Sequence, residues 1–280
     1  MLFYLYIIKN IGGEDMKNSL LGECISELIG SWILIFIGCG SVASLVLNGA
    51  DLSQWEISII WGLAVTMAIY ITGAVSGTQI NPAVTIGLMI HRDFPKKKVI
   101  PYIISQVAGC FLGAATVYLL FKNLFIDFET TNNIVRASSE GLSTAGVFST
   151  YPHQSISIFG ALLVEVIITM FLFIVILAVG EAKNSNKPAA NLGPVMIGLT
   201  IAIIGASFGV LTGFAMNPAR DFGPKLFALI AGWGSFALGE NMYFLVPIVG
   251  PIIGTIVGGF IFDKCIKQYM PNENITEEAK

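Results

Sequence analysis

Leu211-Thr212-Gly213-Phe214-Ala215-Met216-Asn217-Pro218-Ala219-Arg220-Asp221 is an apolar approach to a polar Asn-Pro-Ala-Arg corner, and Ser76-Gly77-Thr78-Gln79-Ile80-Asn81-Pro82-Ala83-Val84-Thr85 is an earlier copy of it. In each copy Asn stands at a helix N-cap position and Pro at the first helical position, where its missing N–H costs nothing. The corners therefore predict helix starts, over 81–90 and 217–228. Upstream, Gly73, Gly77, Gly209 and Gly213 break runs that otherwise look membrane-buried. Irregular backbone at that depth is tolerated only where it lines a cavity. Both corners read as half-helices whose N-termini meet at a pore.

Composition supports a membrane setting: 55% of residues are hydrophobic and 12% charged, with a mean hydropathy of +0.78. Charge-free runs at 28–47, 99–121, 166–180 (with an apolar lead-in from 156), 192–216 and 241–262 each suit a spanning helix of ~20 residues. The run 57–90 is too long for one span and too short for two with a turn, so it reads as one helix plus a half-helix. The sum is an all-α membrane protein with six spans and two re-entrant half-helices. Cys24, Cys39, Cys110 and Cys265 lie in or beside apolar segments without CxxC spacing, so neither a disulfide framework, a metal site nor a cofactor is expected. The net charge of −3 implies no anionic partner, and no nucleic-acid footprint is present.

Residues 1–18 read as an N-terminal extension. The apolar opening lacks a signal peptide's basic start and small-residue cleavage site, and Met16 is a plausible alternative start.

Glu27-x-x-x-Ser31-x-x-Leu34 in the first span reappears as Glu165-x-x-x-Thr169-x-x-Leu172 in the fourth. The glutamates are 138 residues apart and the corner asparagines 136, which marks an internal repeat. With three spans per half, the second copy enters the membrane upside down. An inverted repeat places its site near the midplane between the halves. The repeats are expected at 19–121 and 156–266, joined by an external connection over 122–155 and followed by a polar tail at 267–280. Arg92, Lys96, Lys97, Lys98, Lys183, Lys187, Lys264 and Lys267 all fall on one side with both termini, which makes that side cytoplasmic. Gly109 with Gly113, and Gly250 with Gly254 and Gly258, form rows suited to close helix contact.

With these motifs in place, the sequence resembles the major intrinsic protein family, and within it the glycerol facilitator branch. The resemblance covers about 21–266 and rests on the paired Asn-Pro-Ala motifs, on Gly213 through Lys225, and on Gln54-Trp55-Glu56-Ile57-Ser58. It implies an aquaporin-like bundle assembled as a homotetramer with one pore per subunit. It also implies a constriction of Arg220, Trp61, Phe214 and Gly205. Water-selective relatives place a His where Gly205 stands, and here His91 and His153 lie in loops. Tyr118, Asp221, Lys225, Pro247 and Ile248 match the glycerol branch as well. Gln79 departs from the family's usual His, two positions before the first corner Asn.

Read from the residues alone, Asn81 and Asn217 offer amide donors at positive helix N-termini, suited to a passing oxygen and hostile to cations. Plain helix capping is the competing reading. Arg220 is costly in a membrane unless it faces water or a partner, and its donor fork suits two adjacent hydroxyls. A structural salt bridge to Asp221 is the alternative. Trp61 alone would read as core or an interface anchor. The approaches Gly77-Thr78-Gln79-Ile80 and Gly213-Phe214-Ala215-Met216 are expected to be extended and to turn successive carbonyls to the lumen. Glu27 and Glu165 either carry protons or accept hydrogen bonds from the loop N–H groups, and the structural role is favoured. The expected function is passive conduction of glycerol and similar small neutral solutes, with some water, through a plasma-membrane pore that excludes ions. No motif for catalysis is present. A water-selective channel and an ion-coupled transporter are the rivals.

Overall fold

The structure is a computed structural model that describes residues 19–271. The expectations for 1–18 and for the end of the polar tail lie outside those residues. Eight main helices follow one another: α1 (Leu20–Asn48), α2 (Gln54–Ser76), α3 (Pro82–His91), α4 (Lys96–Thr131), α5 (Ile158–Gly180), α6 (Gly193–Thr212), α7 (Pro218–Ala228) and α8 (Val246–Ile261). Six helical segments are long and apolar enough to cross a membrane, the last running from Glu240 to Tyr269 around α8. The chain is an integral membrane protein. Among the described residues there is no strand.

Local chemistry sets the helix ends. Ser19, Ser53 and Ser157 cap α1, α2 and α5, each with a side-chain oxygen accepting a first-turn N–H, and Glu56 completes a capping box with Ser53. Gly77 and Gly213 end α2 and α6 in the left-handed conformation, at φ 78° and 75°, which L-residues adopt at a cost. Gly73 and Gly209 lie inside the helices as the acceptors of those two caps, so they do not themselves break the runs.

Packing follows the repeat. α4 lies on α1 where a Cβ at Gly109 or Gly113 would strike Ser31 or Ile35, and α8 lies on α5 through Gly250, Gly254 and Gly258. α2 and α6 cross backbone to backbone at Gly62 and Gly198. The half-helices are exchanged. α7, of the second repeat, packs through Gly223 on α4 of the first, while α3 packs through Gly87 on Thr255 of α8. Neither half could enclose a lumen alone.

Two boundaries differ from expectation. The external connection does not begin at 122, because α4 continues to Thr131. Lys122, Asn123 and Asp127 end the apolar span but are compatible with helix, and Phe125 and Glu129 remain buried there. The tail does not begin at 267, since helical turns carry α8 on to Tyr269 and Lys267 binds Glu181 at 2.8 Å.

Candidate functional site: a lumen between two half-helices

The two corners meet inside the bundle. Asn81 Oδ1 accepts the Ala83 N–H at 2.9 Å and Asn217 Oδ1 accepts the Ala219 N–H at 3.0 Å, so each oxygen caps its own half-helix. The amide groups reach across instead. Asn81 Nδ2 donates to the Met216 carbonyl at 2.9 Å, and Asn217 Nδ2 donates to the Ile80 carbonyl at 2.7 Å. Each amide has two N–H bonds and spends one on this exchange. Capping and donation are thus compatible roles of one side chain.

The loops leading to the corners are not extended. Thr78, Ile80, Phe214 and Met216 have φ of 44°, 43°, 42° and 50°, at equivalent positions of the two repeats. Such conformations of L-residues cost of order 1–3 kcal/mol each and persist only when the surroundings over-determine them. Glu27 and Glu165 do so. Glu27 accepts the N–H groups of Gln79 (2.9 Å) and Ile80 (2.7 Å), the Ser76 hydroxyl (2.6 Å) and the Gln106 amide (2.8 Å). Glu165 accepts the N–H groups of Ala215 (3.0 Å) and Met216 (2.8 Å) and the Thr212 hydroxyl (2.7 Å). Both carboxylates are fully buried, and their oxygens are occupied by donors that lipid could not replace.

The four residues expected at the constriction are brought together. The Arg220 guanidinium carbon lies 4.0 Å from the centre of the Trp61 ring, and Trp61 meets Phe214 edge to face at 6.5 Å between centroids. Gly205 stands behind Phe214, where an added Cβ would come within 2.8 Å of the phenyl ring. Its carbonyl accepts from Gln54 Nε2 at 2.9 Å. Trp61, Phe214 and Arg220 line a cavity of about 160 Å³, together with 77–81, 215–217 and aliphatic residues of α1, α2, α3, α5 and α6. His91 and His153 are absent from its wall. His91 sits against Asp263 at 3.4 Å, and the His153 ring nitrogen accepts the Ser155 N–H at 3.2 Å.

Some contacts had no counterpart in the sequence reading. Arg220 Nη1 donates to the Phe148 carbonyl at 3.3 Å, a backbone partner in the connecting segment that no residue type announces. Asp221 binds Lys225 and Thr150 rather than Arg220. Gln106, which serves Glu27, was detectable as a lone amide in the apolar run of α4.

Six spans in two inverted halves, with two half-helices abutting in a lumen, define a membrane channel of the re-entrant-loop class. The sequence matches the major intrinsic protein family over residues 14–262. The chain belongs to that family. It is 54% identical over 269 residues to the glycerol uptake facilitator protein of Escherichia coli K12, covering 95% of each chain. It is 48% identical over 259 residues to a propanediol uptake facilitator of Salmonella typhimurium, covering 91% of this chain and 98% of that one. The aquaglyceroporin of Plasmodium falciparum, a solved structure, superposes with a TM-score of 0.80 at 33% identity, covering 90% of this chain and 99% of that one.

Proposed function

We propose that this chain is a passive, bidirectional channel for glycerol and related small neutral solutes, with some water, and that it excludes ions and protons. The observation that carries this reading is the constriction. Trp61 and Phe214 present an apolar corner to a carbon backbone, while Arg220 presents donors to the hydroxyl edge, a division suited to an amphipathic polyol. The second amide N–H of Asn81 and of Asn217, and a ladder of carbonyls from 77–80 and 213–216, continue the path. Relatives named for glycerol and propanediol uptake support this substrate class. Glu27 and Glu165 hold the loops, in keeping with the pair of loop N–H groups that each accepts. The molecule is a channel, not an enzyme. We place it in the plasma membrane, with both termini cytoplasmic following the basic loops at 92–98, 183–187 and 264–267, and as a homotetramer following its family.

Proteoliposomes shocked with glycerol, urea and sucrose, followed by light scattering, test the reading. Rapid re-swelling with glycerol and none with sucrose is expected. Uptake that saturates and collapses with a protonophore would identify a coupled transporter instead.

A further inference from the structure

The inner half of the lumen is walled largely by aliphatic side chains, among them Ile69, Val84, Leu88, Ile176, Ile197 and Ile201. Gln79 interrupts this wall. It is 8% exposed and lines the cavity, its Oε1 is buried without a partner, and its carboxamide makes no hydrogen bond with any described residue. Its backbone, by contrast, is held by Glu27 through the N–H at 2.9 Å. At the corner offset of 136, the equivalent residue of the second repeat is Ala215, whose N–H is held by Glu165 at 3.0 Å. The loop therefore needs an N–H at this position and nothing from the side chain.

A buried polar group left unpaired is destabilising. Gln79 bears that cost where alanine would serve the fold. A carboxamide both donates and accepts, as a hydroxyl does. We propose that the Gln79 carboxamide is a hydroxyl-binding subsite in the inner half of the lumen, a specificity determinant that favours polyols over water once they have passed the asparagines. The subsite rests on the polyol-channel reading above.

The test uses the full chain in proteoliposomes at matched protein density, with glycerol and water permeabilities measured by stopped-flow light scattering. Gln79→Met keeps the bulk without the polar atoms, and Gln79→Ala copies the second repeat. Both are expected to lower the glycerol-to-water permeability ratio about two- to tenfold, the effect of one hydrogen bond. A ratio unchanged or raised in a monodisperse Gln79→Met protein overturns the subsite, as does a proportional fall of both permeabilities in both variants. A parental protein that passes water but no glycerol overturns the polyol-channel reading instead.

Discussion

Asp221 pairs with Lys225, one helical turn on, and not with its neighbour Arg220, with 2.5 Å between carboxylate and ammonium and both side chains buried. The other carboxylate oxygen accepts the Thr150 N–H at 2.7 Å and hydroxyl at 2.8 Å, while Lys225 Nζ donates to the Thr150 carbonyl at 2.8 Å. Thr150 is thus gripped through three groups. Two residues before it stands Phe148, whose carbonyl receives Arg220. The pair acts on Arg220 through the connecting segment and leaves the guanidinium facing the lumen.

Lys225→Met should leave the Asp221 carboxylate buried without its cation, at a cost of about 3–5 kcal/mol. Joint replacement with Asp221→Asn should recover part of that loss, because no uncompensated charge remains. Thermal unfolding of the detergent-solubilised variants checks the order: single below double, double below parent.

Glu27→Gln should reduce folded yield while transport per folded pore survives. An amide turns a donor toward the N–H groups of Gln79 or Ile80, and each orphaned group costs about 1–3 kcal/mol. A purified variant as stable as the parent but unable to conduct would favour the proton-carrier reading.

Gly205→His combined with Phe214→Cys should narrow selectivity toward water. The phenyl ring occupies the space a side chain at 205 would need, 2.8 Å from an added Cβ, so both changes are required. Stopped-flow glycerol flux at the parental level in a folded double variant would refute the constriction.

Arg220→Val should weaken discrimination among polyol isomers and open a small proton or cation leak. The half-helix N-termini at Asn81 and Asn217 still oppose cations at the midplane, but the full charge at the constriction is gone. Liposomes loaded with a pH dye report the leak, and its absence alongside parental isomer preference would make Arg220 structural.

Lys267, bonded to Glu181 at 2.8 Å, holds that carboxyl below the usual carboxylate range, with Arg92 at 4.0 Å adding to the effect. A lowered folded-state pKa contributes stability above the unfolded value of about 4.3, and that contribution is lost as pH falls through the folded value. Glu181→Gln should therefore melt earlier than the parent at neutral pH. The two melting curves should converge in acid.

The architecture was legible because its signals were chemical and repeated: two Asn-Pro corners, two glutamates at nearly the same offset, and charge-free runs of spanning length. What stayed hidden was carried by backbone or by context. The carbonyl of Phe148 has no signature in the residue that bears it. The left-handed Thr78, Ile80, Phe214 and Met216 carry none of the usual glycine or asparagine marks, since two distant carboxylates impose their conformation. The extra length of α4 was missed because charged residues end a span without ending a helix.

The exchanged packing of the half-helices also gives the molecule a clock. Asn81 cannot find its acceptor until Met216 has been made, 135 residues later, and α3 cannot settle on Thr255 until α8, the final span, leaves the ribosome. At ~5–20 residues per second the first corner waits roughly 7–27 s for its partner. The complete lumen is the last feature to be assembled, so a nascent chain in the membrane has no finished conduit until its final span is in place.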